Sequence, residues 1–168
     1  DEWPRYSRKL RASRGEGGKI DIAARFESRR NRSFEYVQSP NAGLIELDDQ
    51  PPLRHDTSAL DIALTTAALL KANPVSLLQT MRKTVVDGSN TSGFQRTTLI
   101  STGGVLQTLS DPVGISVLCL EEDSARKLDT YVSDTGECVI YNLDRLGLPL
   151  IEIVTEPDVN SPNHAKET

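Results

Sequence analysis

Three stretches of the chain carry polar residues that a strand or a turn does not need for itself. The first is Asp87-Gly88-Ser89-Asn90-Thr91-Ser92-Gly93-Phe94-Gln95-Arg96-Thr97. A run of Gly, Ser, Asn and Thr makes a tight loop rich in backbone N–H and hydroxyl donors, and such loops hold phosphate or carboxylate oxygens. Lys83 and Arg96 flank it and could add charge-assisted bonds. The same composition also makes ordinary turns. The second stretch is Cys119-Leu120-Glu121-Glu122-Asp123, where three acids end an apolar strand. By alternation Glu121 shares a face with Ile115, Val117 and Cys119, and Glu122 shares the other with Ser116, Leu118 and Leu120. One carboxylate is therefore expected to face a packed side or a cleft, where a hard cation would find oxygen ligands. The third is Asn142-Leu143-Asp144-Arg145-Leu146-Gly147-Leu148-Pro149-Leu150-Ile151-Glu152-Ile153-Val154-Thr155-Glu156-Pro157-Asp158. Glu152 stands mid-strand between isoleucines, where a charge needs a partner or a metal. Glu156 falls on the same face about 13 Å further on, too far to share one ion with it.

The elements that must position these residues read as α+β. Strands are expected at Lys19–Phe26, Ser33–Gln38, Leu44–Leu47, Val75–Val86, Phe94–Thr102, Val105–Leu109, Gly114–Glu121, Val139–Leu143 and Pro149–Thr155. Arg14 to Gly18 reads as a loop, and Gly103-Gly104 as a hairpin turn. The clearest helix is Ser58–Ala72, with Asp56 or Thr57 as cap and Asn73-Pro74 as stop. A weak helix is expected at 124–129, and another starts at Ser161-Pro162. Strands that follow one another without helices between them argue for a mixed, largely antiparallel sheet rather than a doubly wound one. Neither GxGxxG nor GxxxxGK[ST] occurs, so a nucleotide site would be of another type.

At 168 residues, 37% hydrophobic and 26% charged, the chain suits one soluble domain. No run of about 18 apolar residues is present to span a membrane. The opening Asp1-Glu2-Trp3-Pro4 lacks the pattern of a signal peptide, and the last helix stops within its second turn, as in a piece of a larger protein. Two cysteines, Cys119 and Cys138, are too few for a disulfide framework and read as buried thiols. The net charge of -5 hides a split. Residues 1–32 hold ten Arg/Lys and five acids; the rest holds nine and 19. The basic segment suits either a solvated arm or an RNA or nucleotide phosphate.

Taken together, residues 87–97, Leu120-Glu121-Glu122-Asp123-Ser124-Ala125-Arg126 and residues 143–158, with Glu46-Leu47-Asp48-Asp49-Gln50-Pro51-Pro52, resemble the E-type (GatE) subunits of the archaeal glutamyl-tRNA(Gln) amidotransferases. The B-type (GatB) subunits of bacteria and organelles, which act on Asp-tRNA and Glu-tRNA, form the sister family. The Ser92-Gly93-Phe94-Gln95-Arg96-Thr97 form points to the E type. The resemblance implies a glutamine synthetase-like cradle domain of α+β type. It further implies ATP- and Mg2+-dependent phosphorylation of the γ-carboxylate of Glu-tRNA(Gln), then displacement of phosphate by ammonia. The ammonia would come from an asparaginase-like D-type subunit in a cytoplasmic hetero-oligomer with no membrane role. Glu122 and Glu152 match catalytic, Mg2+-binding positions; Lys83, Ser92, Gln95 and Arg96 match positions that line the substrate or phosphate pocket. Neither His55 nor His164 matches the family's metal-site histidine. On this reading residues 1–168 are a partial catalytic domain, without its first strand and the downstream tRNA-binding domains, and inactive alone. The alternatives are a B-type enzyme and a non-catalytic RNA-binding module.

Overall fold

The computed structural model describes residues 3–10, 14–15 and 17–168. Glu16 of the expected loop, and Asp1, Glu2 and Arg11 of the charged segment, lie outside them. The chain divides into two compact units. The first holds the described residues within Asp1–Leu53, with Arg82–Arg96 and Glu122–Leu148; the second holds Arg54–Met81, Thr97–Glu121 and Pro149–Thr168.

The first unit is built on a four-stranded sheet in the order β1-β2-β9-β8. Its strands are β1 (Arg5–Arg8), β2 (Arg32–Val37), β8 (Arg126–Ser133) and β9 (Gly136–Asn142). Only β2 and β9 are parallel, with Phe34 opposite Val139 and Tyr36 opposite Tyr141. Those four side chains form the centre of a core completed by Ala42, Leu47, Ala125 and Leu143. Tyr36 and Tyr141 stack with ring centroids 6.1 Å apart.

The second unit is built on the sheet β10-β7-β5-β3, with β4 added to β5 and β6 to β7. Its strands are β3 (Asn73–Pro74), β4 (Thr80–Thr84), β5 (Phe94–Thr102), β6 (Val105–Leu106), β7 (Val113–Glu122) and β10 (Pro149–Thr155). Helix α2 (Thr57–Leu69) is capped by Asp56, whose side chain accepts from Ala59 N at 2.9 Å. Ala59, Ala63 and Ala67 recur every four residues and are buried against Ile100, Ile115, Leu118 and Leu120. Small side chains at that spacing let the helix backbone pack closely on its neighbours. Lys71, at φ 56, ends the helix before Asn73-Pro74.

The α+β class stands, with two sheets where one was expected. Several local expectations are corrected. Lys19–Phe26 is not a strand: Asp21 accepts from Ala23 N and Ala24 N and starts α1 (Ile22–Glu27), because a capping acid before Ala-Ala-Arg favours the helix. Leu44–Leu47 forms turns closed by Leu47 N to Gly43 O and Asp49 N to Leu44 O. Within Val75–Val86 only Thr80–Thr84 is strand. The stretch 124–129 is not helical: Arg126 begins β8, which pairs with β9 through a turn at Gly136, φ 119. Gly103-Gly104 makes no β5–β6 hairpin. Both glycines have positive φ and lead the chain to β6, where Val105 pairs with Gly114 of β7.

The last helix is as expected: Ser161 caps α3 (Pro162–Glu167). It is anchored by His164, 1% exposed, whose Nε2 lies 2.9 Å from Asp111 O. Both cysteines are buried thiols outside any disulfide. No described helix is long and apolar enough to cross a membrane.

Candidate functional site

The first unit gathers four of the expected residues. In the antiparallel register of β5 and β7, Thr97 stands opposite Glu121, so the residues next along, Arg96 and Glu122, are neighbours. Arg96 Nε donates to Glu122 Oε1 at 2.8 Å, and Arg96 Nη2 donates to the same oxygen. The remaining nitrogen, Nη1, donates to Leu53 O at 2.7 Å. Gln95 Nε2 donates to the Glu122 carbonyl at 2.6 Å. Glu122 is thus held at its backbone and at one carboxylate oxygen, with its side chain 24% exposed. A charged group so held keeps one orientation, which charge-assisted bonds enforce better than neutral ones.

The hydroxyl-rich loop is fixed from within. Asp87 Oδ1 accepts from Ser89 N at 2.9 Å and from Ser89 Oγ at 2.7 Å, the side-chain turn that Asp favours. Thr91 Oγ1 donates to Glu46 O at 2.7 Å, Ser92 Oγ to Phe94 O at 2.9 Å, and Ser124 Oγ to Asn90 Oδ1 at 2.9 Å. Two tyrosines of the core sheet hold the base of the loop. Tyr36 OH donates to Gly88 O at 2.6 Å and Tyr141 OH to Asp87 O at 2.8 Å. Burial, helped by the Asp87 carboxylate, pushes the Tyr141 phenol up to about 12. Several of the hydroxyls noted in the sequence therefore serve to shape the loop.

The loop borders a cleft of about 70 Å³ lined by Asn90, Thr91, Ser92, Phe94, Arg96 and Glu122, with Glu46, Asp48 and Gln50 across it. That space holds a few water-sized groups, well below the few hundred Å³ a whole nucleotide needs. Lys83 does not line it; Lys83 lies exposed on β4. Asp123 Oδ2 accepts from Arg145 Nε at 3.2 Å.

Glu152 belongs to the second unit and is half-buried on β10, an edge strand of its sheet. An edge position exposes part of the strand to water, which lowers the cost of a mid-strand charge. The fully buried acid of the chain's acidic triplet is Glu121, 6% exposed, which accepts from Thr97 Oγ1 at 2.9 Å. His55 Nε2 lies 3.0 Å from Thr80 Oγ1 and 2.8 Å from Thr98 Oγ1.

Among the described residues, no three of His, Cys, Asp and Glu come together as a metal would require. Mg2+ is commonly held by one or two carboxylates, with water and substrate phosphates completing its shell. Glu122 and Glu152 each suit such a partial ligand by donor type.

Sequence reasoning missed the tyrosine anchors and the face of the cleft made by Asp48 and Gln50. Tyr36 and Tyr141 carried no local signal, since their role depends on β2 and β9 being neighbours across about a hundred residues. The Glu46–Pro52 stretch did carry one, in acids beside a Pro-Pro break.

An α+β domain with a clamped carboxylate beside a hydroxyl-rich loop defines a class of site suited to handling anionic oxygens. Residues 23–168 match the GatB/GatE catalytic domain, and the chain belongs to that family. Among its relatives are proteins named as the E-type subunit of glutamyl-tRNA(Gln) amidotransferase. The one from Thermoplasma acidophilum is 48% identical over 99% of this chain and 27% of the relative. The one from Methanocaldococcus jannaschii is 49% identical over 95% and 25%, and that from Sulfurisphaera tokodaii 47% over 95% and 25%. The chain thus spans about a quarter of the length of the curated relatives it matches.

Proposed function

We propose that this chain contributes the carboxylate-activating part of a glutamyl-tRNA(Gln) amidotransferase, acting in translation as one member of a hetero-oligomer. The substrate would be Glu-tRNA(Gln). A γ-carboxylate oxygen of its glutamate attacks the terminal phosphorus of ATP and ADP leaves. Ammonia from a partner protein of asparaginase-like type then attacks the acyl carbon and inorganic phosphate leaves. Bound Mg2+ would neutralise charge on the transferring phosphoryl group.

The observation that carries this reading is the clamped Glu122, bonded at its carbonyl by Gln95 and at its carboxylate by Arg96. Positioning and electrostatics, not covalent chemistry, are what a phosphoryl transfer asks of the protein. Arg96 is proposed to hold Glu122 in one rotamer and to offer its remaining guanidinium N–H groups to substrate or phosphate oxygens at the cleft, which Ser92 also lines. Lys83 is proposed to contact substrate or phosphate, and Glu152 to serve as a Mg2+ ligand, in the working enzyme.

The test is Glu152→Gln, alongside Glu122→Gln, in a full-length enzyme that carries this sequence. It is assayed with ATP, ammonium salt and Glu-tRNA(Gln). Formation of Gln-tRNA(Gln) is expected to fall about 100-fold or more, as when one charge-stabilising group is removed, with tRNA affinity little changed. Unchanged turnover in both variants overturns the carboxylate assignments.

A further inference from the structure

Asn90 lines the Glu122 cleft and is 6% exposed. The local sequence sets its place. It opens a turn that Gly93 N closes by donating to Asn90 O at 2.9 Å. The residue before it is tied to the segment that follows β7, where Ala125 N donates to Ser89 O at 2.9 Å. That bond brings Ser124 beside the loop, and Ser124 Oγ donates to Asn90 Oδ1 at 2.9 Å. All of these residues belong to the first unit.

The Asn90 carboxamide is therefore held at its oxygen. Ser89 Oγ lies 3.4 Å from the same atom. The Ser124 hydroxyl proton needs an acceptor, and this fixes which end of the amide faces it. Nδ2 has no hydrogen-bond partner among the described residues. Nor is it one of the buried polar atoms sealed in without a partner. Its two N–H donors thus open on the space that Asn90 lines, which is the cleft. Arg96 and Glu122 stand on that cleft as an ion pair, and Glu46 and Asp48 face it. A cation in place of Asn90 would be drawn to these acids; a neutral amide donates without joining an ion pair.

We infer that Asn90 is a catalytic oxyanion donor, whose Nδ2 hydrogens hold the γ-carbonyl oxygen of the substrate glutamate during acyl transfer. This deepens the proposed function and rests on it. In the first step one γ-carboxylate oxygen bonds to phosphorus and ADP leaves. The other oxygen becomes the carbonyl oxygen of the acyl phosphate. Ammonia then adds to the carbonyl carbon, and the C=O electron pair moves onto that oxygen. The pair returns as the C–O bond to phosphate breaks, and the nitrogen passes a proton to the leaving phosphate. Negative charge grows on this oxygen in the second step, where prearranged amide donors count most. A cleft of about 70 Å³ admits a carboxyl head group and no whole nucleotide.

The test uses the full-length enzyme with ammonium salt, ATP and Glu-tRNA(Gln), and follows ADP and Gln-tRNA(Gln) together. Asn90→Asp keeps the size and the acceptor for Ser124 and replaces the N–H donors with oxygen. Its kcat for Gln-tRNA(Gln) should fall about 100-fold or more, with the KM for ATP unchanged. ADP should form in excess over Gln-tRNA(Gln), because water breaks the waiting acyl phosphate at phosphorus. A merely structural asparagine would slow both products alike. Asn90→Ala, which adds no charge, is read in the same way if Asn90→Asp folds poorly. Ser124→Ala leaves the donors and frees the carboxamide to turn, so kcat should fall about fivefold, the worth of one neutral hydrogen bond.

Parental kcat in Asn90→Asp and Asn90→Ala overturns the inference, and so does a fall of ADP and Gln-tRNA(Gln) in step. A raised KM for ATP at parental kcat also overturns it, since Asn90 would then be a nucleotide contact. If the Asn90 variants turn over as the parent does while Glu122→Gln and Glu152→Gln lose turnover, the donor fails and the proposed function stands. If the parent enzyme forms no Gln-tRNA(Gln), the proposed function fails and this inference falls with it.

Discussion

Substituting Gly88 by Ala tests whether the base of the hydroxyl loop is set by close packing on the core sheet. Gly88 has φ 86, in the left-handed region. An L side chain there costs about 1–2 kcal/mol. A Cβ at this position would lie 2.3 Å from Phe34 Cδ1, 2.4 Å from Cε1 and 2.6 Å from Cγ. Carbon atoms in contact prefer about 3.5 Å or more, so the ring must move by about 1 Å. Phe34 is 1% exposed, with Tyr141 packed at a centroid distance of 6.3 Å, so there is little room for that movement. Overpacking of this kind costs about 1–3 kcal/mol. The two effects together give about 2–5 kcal/mol, less a few tenths for the lower unfolded-state entropy of Ala.

Urea unfolding followed by far-ultraviolet circular dichroism is the assay. At a slope of about 2 kcal/mol per molar urea, the midpoint should fall by about 1–2.5 M with the slope unchanged. Gly17→Ala, where a Cβ meets nothing within 4 Å, should stay within about 0.5 kcal/mol of the parent. In a Phe34→Leu background the Gly88→Ala penalty should shrink, because the clash with the ring is gone. A Gly88→Ala midpoint equal to that of Gly17→Ala would refute the packing argument.

Three further outcomes are expected. Bonds from Arg32 hold the Glu137 carboxyl below its usual range. Its contribution to stability is therefore present above about pH 4.3, the unfolded value, and lost as pH falls through the lowered one. Glu137→Gln should make the melting temperature less sensitive to acid there, and an unaltered acid limb would contradict the coupling. Tyr141, pushed up to about 12, contributes stability that is complete below about pH 10 and lost as pH rises toward 12. Phenolate absorbance should show one late-titrating tyrosine, which Tyr141→Phe removes. Ala63→Leu, at a position 0% exposed between α2 and its sheet, should cost about 1–3 kcal/mol by overpacking, whereas Ile62→Ala on the exposed face should be nearly neutral.

Helix α2, the strands β2, β5, β7 and β10, and the cap of α3 were legible in the sequence because their signals are local. Alternation, a capping Asp or Ser and a Pro stop act over a few residues. Where two local signals competed, the reading failed. Lys19–Phe26 alternates loosely and also carries a cap with two alanines, and the cap prevailed. Gly103-Gly104 could make a hairpin, but Leu70 O accepts from Val105 N and draws the chain toward β7 instead. Position 124–129 lacked a strong signal, and its strand exists because β9 offers it a partner.

The chemistry divides along the same line. The sequence by itself determined the inventory: a loop of donors, a pair of acids ending one strand, an acid within another, and a basic first segment. Residue type and spacing are enough for that. Tertiary structure decided which of these act together. Arg96 reaches Glu122 only because β5 and β7 pair in one register. The loop hydroxyls are turned to internal acceptors because two tyrosines, brought together by β2 and β9, fix its base. Asn90 keeps its amide donors for the cleft because Ser124, far along the chain, takes its oxygen. Which cations are paired was likewise invisible in the composition. Pairing depends on which acids lie within a few ångströms, and partners such as Arg32 and Glu137 are separated by most of the chain.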